Sequence, residues 1–166
     1  MSSRRVSRLA PAFHPKEVEG SLDASGLRFT VLCARWNPTI TDALLRTALE
    51  TLQRLGAKEG AVLVVRVPGA FELPAAARFA LSESKPDALI ALGAIVKGET
   101  NHHEVLGHAV AAALAALSVE TGRPIGFGLL TCDTMDQARA RSDKGIEATE
   151  AAIEMAHLVR DLRRKA

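Results

Sequence analysis

The spacing of apolar residues along the chain predicts short strands that alternate with longer helices. Four runs rich in Val, Leu, Ile and Ala predict strands at residues 28–34, 61–67, 88–96 and 124–131. Apolar residues that recur every three or four positions predict helices at residues 38–55, 71–82, 105–121, 134–139 and 146–164. Pro and Gly residues separate these runs. The predicted order is therefore β-α-β-α-β-α-β-α-α.

The first helix has recognisable start and stop signals. Asn37 is expected to cap it with a side-chain oxygen, Pro38 suits its first position, and Gly56 suits its end. Gly122 is expected to end the third long helix in the same way.

Nearly continuous apolar strands between helices are typical of a parallel sheet that is covered on both faces. The sequence therefore predicts an α/β fold, a flavodoxin-like three-layer α/β/α sandwich with a four-stranded parallel sheet. Residues 1–25 are polar, basic and broken by Pro and Gly, which predicts a flexible N-terminal arm before one domain at 26–166. Such sheets bind ligands at the carboxyl ends of their strands, so the four strand-to-helix junctions are candidate sites.

Composition excludes several classes of partner. The 166 residues, 48% of them hydrophobic, suffice for one well-packed domain. A net charge of +2 gives no reason to expect nucleic acid. Every long apolar stretch contains Gly or a charged residue, and the N-terminus lacks a secretory apolar segment, so we expect a cytoplasmic protein without a membrane partner. Cys33 lies within the first predicted strand and Cys132 directly follows the fourth, and both are expected to be buried, reduced thiols.

Residues at the first two junctions each allow two interpretations. Trp36, the only Trp, follows the first strand, where its ring could stack on a heterocycle, although a core or interface position is commoner. Glu72 follows Pro68-Gly69 and could bind a ligand or cap its own helix. From local sequence alone, capping is the better interpretation.

The third junction predicts an anion site beside a proton donor. A Gly-containing turn at residues 98–101 opens a helix, and the free N–H groups at a helix N-terminus bind anions. Thr100 adds a hydroxyl donor. His102, in the first turn, is suited to proton transfer near neutral pH.

A metal interpretation of the same helix fails on spacing. His103 and His108 are five positions apart and do not converge on one ion, so we expect no metal. His108 and His157 are expected on solvated helix faces. The fourth junction leads to Arg141, which is either a phosphate ligand or ordinary surface charge.

Five segments, taken in order, resemble lumazine synthases. They are Ala-Arg-Trp-Asn at 34–37, Val-Pro-Gly-Ala-Phe-Glu-Leu-Pro at 67–74, residues 91–102 with Lys-Gly-Glu-Thr-Asn-His at their end, Gly-Phe-Gly-Leu-Leu-Thr at 126–131, and Gln-Ala at 137–138 followed by Arg141 and Lys144-Gly145. One segment would be weak, but the ordered set is specific and spans about residues 29–158. The resemblance implies condensation of 5-amino-6-(D-ribitylamino)uracil with 3,4-dihydroxy-2-butanone 4-phosphate to 6,7-dimethyl-8-ribityllumazine, phosphate and water, the penultimate step of riboflavin biosynthesis, without a cofactor.

The resemblance also assigns roles to individual residues. It places the pyrimidine and its ribityl chain at Trp36, Asn37, Ala70, Phe71, Glu72, Ala94, Ile95, Val96 and Phe127. It places the phosphate at Glu99, Thr100 and Arg141, and proton transfer at His102. Phe127 and Arg141 match residues that complete the site from a neighbouring subunit.

The resemblance implies assembly as a homopentamer, with sites between adjacent subunits. A sixty-subunit icosahedral shell and association with riboflavin synthase are further implications. The chain departs from the usual pattern at Trp36, where Phe is commoner, at His103, where an aromatic residue often stands, and in the shortened linker between Arg141 and Lys144. Because of the shortened linker, the sequence does not decide between a pentamer and a shell.

Two other functions fit parts of the sequence. One is a catalytically silent family member that binds riboflavin on Trp36, although a flavin binder has no need of Thr100 and Arg141 as a phosphate clamp. The other is a flavodoxin-like signalling receiver. Such a receiver needs acidic residues after its first strand, where this chain has Arg35, Trp36 and Asn37.

Overall fold

The computed structural model describes residues 14–165, in which four strands alternate with five α-helices. The strands are β1 (Phe29–Ala34), β2 (Val62–Val67), β3 (Ala88–Val96) and β4 (Ile125–Cys132). The helices are α1 (Pro38–Arg54), α2 (Leu73–Glu83), α3 (His102–Thr121), α4 (Met135–Arg139) and α5 (Lys144–Lys165). Short 3-10 helices at Glu59–Ala61 and Ala70–Glu72 precede β2 and α2.

The four strands form one parallel sheet in the order β2-β1-β3-β4. Alternate residues of the central strands face opposite layers: Val31 and Ile90 pack in the layer of α1 and α5, and Leu32 packs in the layer of α2 and α3. The predicted three-layer α/β fold with a four-stranded parallel sheet is therefore confirmed. Because the strands are parallel, their carboxyl ends lie at the same edge of the sheet. The junctions that follow β1, β2 and β3 therefore open at that edge.

The central and edge strands differ in burial. β1 is buried throughout and β3 is buried except at its last residue. The edge strands expose large apolar side chains, with Leu63 and Val64 on β2 and Phe127 on β4. Apolar residues at unpaired sheet edges favour association with another chain.

Helix α3 is apolar on nearly all sides. Its length and composition would allow it to cross a membrane. Val110, Leu114 and Leu117 pack into the core layer shared with α2, whereas Val105 and Val119 are exposed. A helix that is apolar on nearly all sides is also expected where other subunits of an assembly bury its outer face.

Two expectations from the sequence were wrong. Asn37 does not cap α1 with its side chain: it adopts a left-handed conformation with φ of 60°, and its Nδ2 donates to the Ala94 carbonyl over 2.8 Å. His157 is not solvated but only 7% exposed. Its Nε2 donates to the Asp23 carbonyl, and its Nδ1 accepts from Arg160 over 2.6 Å. His108 is exposed, as expected.

The predicted N-terminal arm is only partly described, because residues 1–13 lie outside the described residues. Residues 14–25 form no helix or strand. Ala24 is nevertheless fully buried, and its N–H donates to the Leu55 carbonyl over 2.8 Å. Gly20 lies so close to Glu154 of α5 that a Cβ there would overlap its carbonyl oxygen. Gly20 and Ala24 therefore contact α5 and the end of α1, whereas residues 14–17 are exposed.

Candidate active site

A cavity of about 440 Å³ opens at the carboxyl ends of β1, β2 and β3. Ten residues of the sequence prediction line it: Trp36, Asn37, Ala70, Phe71, Glu72, Ala94, Ile95, Val96, Thr100 and His102. Gly69, Gly98, His103 and Leu106 complete the lining. Three predicted site residues, Glu99, Phe127 and Arg141, are not among the lining residues.

The corner between β1 and α1 presents Trp36 to solvent. The ladder with β2 continues past the strand, since Arg35 N–H donates to Val67 and Trp36 N–H donates to Pro68. Trp36 is 73% exposed, so the core interpretation of this lone Trp does not hold. The hydrogen bond from Asn37 to Ala94 ties the corner to the end of β3. An exposed indole is thus held at the mouth of a cavity by a fixed backbone.

The second corner places a carboxylate and another aromatic ring beside the first. Glu72 accepts a hydrogen bond from the Gly69 N–H over 2.9 Å, which is the local capping that its position predicted. Its side chain still lines the cavity, so capping and ligand binding are compatible roles. Phe71 projects into solvent, whereas Leu73 is fully buried and anchors the corner in the core.

The third corner combines the end of β3 with the start of α3. The turn at residues 98–101 is exposed, and α3 begins at His102 without a side-chain cap from Asn101. The Thr100 hydroxyl accepts from the His102 N–H over 3.4 Å. The first N–H groups of any helix have no partner within the helix, so this corner offers donors and a positive dipole end to an anion.

His103 is a site residue that the sequence analysis did not propose. It lines the cavity and is only 6% exposed, whereas its neighbour His102 is exposed. Its Nδ1 lies 3.3 Å from the Thr100 carbonyl oxygen. The signal that could have found it is helical periodicity extended backwards, since His103 lies four and seven positions before the buried Gly107 and Val110.

The three predicted residues outside the cavity lie elsewhere on the surface. Phe127 is 50% exposed on the edge strand β4, beside Ser118 of α3. Arg141 lies between α4 and α5, where its Nη1 donates to the Gln137 carbonyl over 2.9 Å. Glu99 is exposed in the turn before α3. A single chain does not bring Phe127 and Arg141 to the cavity.

The thiols of the two cysteines are not activated as nucleophiles. Cys33 and Cys132 are free and buried, as predicted. Burial raises the pKa of both thiols, and for Cys33 it outweighs the opposing effect of the nearby Arg66 guanidinium. Within residues 14–165, no group of three or more His, Cys, Asp or Glu side chains is placed to hold a metal ion. The residues that line the cavity supply acid–base groups, hydrogen-bonding groups and aromatic rings.

Comparison with known proteins agrees with this geometry. The sequence model of the family described as 6,7-dimethyl-8-ribityllumazine synthase matches residues 26–160. A protein of Desulfotalea psychrophila named 6,7-dimethyl-8-ribityllumazine synthase is 45% identical over 150 residues, covering 87% of this chain and 97% of that protein. The match includes every strand and every corner of the cavity. The chain therefore belongs to the 6,7-dimethyl-8-ribityllumazine synthase family, and it is a transferase of riboflavin biosynthesis.

Proposed function

We propose that this chain joins 5-amino-6-(D-ribitylamino)uracil to 3,4-dihydroxy-2-butanone 4-phosphate in the cavity at the ends of β1, β2 and β3. The observation that carries the proposal is that one cavity combines an exposed indole, the start of a helix and a histidine, at Trp36, Thr100 and His102. The reaction needs an amine to attack a ketone, a carbinolamine to lose water, phosphate to leave and a ring to close. Each step needs orientation and proton transfer.

The pyrimidine ring stacks at the mouth of the cavity in this proposal. Trp36 and Phe71 are exposed large aromatic residues on adjacent corners, and both line the cavity. Ala94, Ile95 and Val96 offer main-chain groups to the edge of the pyrimidine. Glu72, already held by the Gly69 N–H, accepts hydrogen bonds from ribityl hydroxyls.

The phosphate lies at the turn before α3. The exposed turn and the Thr100 hydroxyl supply donors there, and the helix dipole favours an anion. Glu99 contributes through its main chain. His102 is the next residue, exposed at the cavity, where it can move protons during carbinolamine dehydration and phosphate release.

A neighbouring subunit completes the site with Phe127 and Arg141. Both residues are exposed and outside the lining of their own chain's cavity, and both edges of the sheet carry exposed apolar residues. A head-to-tail contact between unlike edges forms a closed ring, which we propose is a homopentamer. Arg141 then clamps the phosphate by paired N–H donors. We place the protein in the cytoplasm, and a shell or a complex with riboflavin synthase is a further assembly of these rings.

The test is incubation of the purified protein with both substrates while the lumazine chromophore is followed by absorbance. We expect formation well above the rate without protein, because holding two substrates together lowers the barrier most. His108→Ala is the matched control, since His108 lies exposed on the same helix but outside the cavity lining. Quenching of Trp36 fluorescence by riboflavin without any product would instead indicate a silent flavin-binding protein.

A further inference from the structure

His102 and His103 are adjacent in sequence but occupy opposite environments. His102 is exposed at the cavity, whereas His103, which also lines the cavity, is buried. His103 Nδ1 lies 3.3 Å from the Thr100 carbonyl oxygen. A carbonyl oxygen only accepts, so Nδ1 must carry the proton and donate. We propose that His103 is a positioning residue that holds the phosphate-binding turn, an inference that rests on the proposed function.

The hydrogen bond fixes more than one carbonyl group. The peptide unit that joins Thr100 to Asn101 is planar and trans, so its N–H points opposite to its C=O. When the Thr100 carbonyl is held toward the His103 ring, the Asn101 N–H is directed away from that ring. The turn therefore presents this donor in a fixed direction before any anion arrives.

The Thr100 hydroxyl is oriented by the same corner. Its oxygen accepts from the His102 N–H over 3.4 Å, which leaves the hydroxyl proton available to an anion. His103 fixes the main chain of Thr100, and His102 fixes its side chain. Preorganised donors of this kind cost no ordering when the ligand binds.

His103 acts through Thr100 and not as an acid or base. Its Nε2 lies 3.9 Å from Glu104 Oε1, which is beyond hydrogen-bond distance. Both the Nδ1-protonated neutral ring and the imidazolium donate from Nδ1. The proposed role therefore needs only a hydrogen-bond donor at the position of Nδ1 and no exchange of a proton with the substrate.

Three variants of His103 test whether a hydrogen-bond donor is needed and whether it must stand at the position of Nδ1. Asn carries its amide nitrogen where His carries Nδ1, Gln carries its amide nitrogen nearer to Nε2, and Phe keeps a ring without a donor. The readouts are the affinity for inorganic phosphate by calorimetry, the KM of each substrate, and the pH profile of kcat. The complete chain is used throughout.

Loss of one neutral hydrogen bond corresponds to about a twofold to tenfold change in binding. We expect His103→Phe and His103→Gln to weaken phosphate binding by that factor and to raise the KM of the phosphate-bearing substrate in parallel. The KM of the pyrimidine substrate and the pH profile should stay as in the wild type. His103→Asn should restore phosphate affinity to within about twofold of the wild type.

Equal phosphate affinity in all three variants and the wild type would overturn the positioning role. A shifted pH profile in His103→Asn would overturn it in favour of acid–base catalysis. If His103→Phe does not fold, judged by thermal unfolding, the Asn and Gln pair still decides. A wild type that turns over without binding phosphate removes only this inference, whereas one that forms no lumazine removes the proposed function.

Discussion

At the scale of single residues, the activity is expected to depend in part on His102, in the first turn of α3. We expect His102→Ala to lower kcat by about a hundredfold or more, yet not to abolish it, because general acid–base help contributes about 10²–10⁴-fold and substrate orientation contributes the rest. Steady-state assays against His108→Ala measure the difference. Unchanged turnover in His102→Ala would remove this histidine from the mechanism.

The thiols provide a second prediction at this scale. Burial raises the pKa of Cys33 and of Cys132, so both stay protonated at neutral pH, and the thiolate is the reactive form. We expect Ellman's reagent to react slowly with the folded protein and to titrate both thiols after denaturation. Rapid reaction of either thiol under native conditions would contradict the burial.

Single residues were predicted well where their role depends on sequence neighbours and poorly where it depends on distant contacts. Glu72 caps its own corner through Gly69, three positions away. Asn37 was misassigned because its amide partner lies 57 positions away on β3. His157 was misassigned because its partner is the Asp23 carbonyl, 134 positions earlier in the chain. Helical periodicity contains no information about either contact.

At the scale of elements, β4 and α5 are in unusually close contact. A Cβ at Gly126 would lie 2.0 Å from the Ala148 carbonyl oxygen, so an alanine there must displace backbone. We expect Gly126→Ala to destabilise the fold by about 1–3 kcal/mol or more. Urea denaturation measures this change in the free energy of unfolding.

Gly60→Ala is the matched control for that prediction. A Cβ at Gly60 meets nothing within 4 Å, and its backbone is not left-handed. The control should therefore be neutral or slightly stabilising, since alanine restricts the unfolded chain. A Gly126→Ala protein as stable as the control would show that β4 and α5 can separate without cost.

The elements themselves were predictable because burial dictates their periodicity. All four strands match their apolar runs to within one residue at each end. Helix α3 begins at His102, whereas the apolar pattern predicted a start at Val105. The pattern missed the opening turn because that turn is polar and faces the cavity. Residues 71 and 72 were predicted as the start of the second helix but belong to the 3-10 turn at Ala70–Glu72, and no local signal separates the two.

At the scale of the whole molecule, the proposed site needs two chains, and complementation tests this. His102→Ala damages the cavity side, and Arg141→Ala damages the side offered to a neighbour. In rings that mix both variants equally, about a quarter of the sites combine an intact cavity with an intact neighbour. We expect co-expressed variants to regain about that fraction of wild-type activity.

Each variant purified alone is the control for complementation. Activity of the mixture that does not exceed the sum of the separate variants would place Arg141 and His102 in one chain's site or remove Arg141 from catalysis. Light scattering on the same samples gives the subunit number and shows whether rings assemble further.

The proposed contacts between neighbouring chains were harder to predict from the sequence than the fold and the cavity of a single chain. Strand-end geometry led to the correct edge of the sheet, and ten of the proposed residues line one cavity there. Phe127 entered through resemblance alone, and for Arg141 the residues left ordinary surface charge as an alternative until the resemblance was considered. Neither residue lies at that cavity in a single chain. Edge exposure becomes visible only after the strand order is known, and strand order is not encoded in periodicity.

The half-exposed Phe127 on β4 has a consequence for how the enzyme responds to its own abundance. If this side chain is part of a neighbour's cavity, a free subunit is an incomplete catalyst. Activity per milligram should then fall on dilution below the dissociation constant of the ring and return on concentration. The amount of protein in the cell would set not only the number of catalysts but also whether each one is functional.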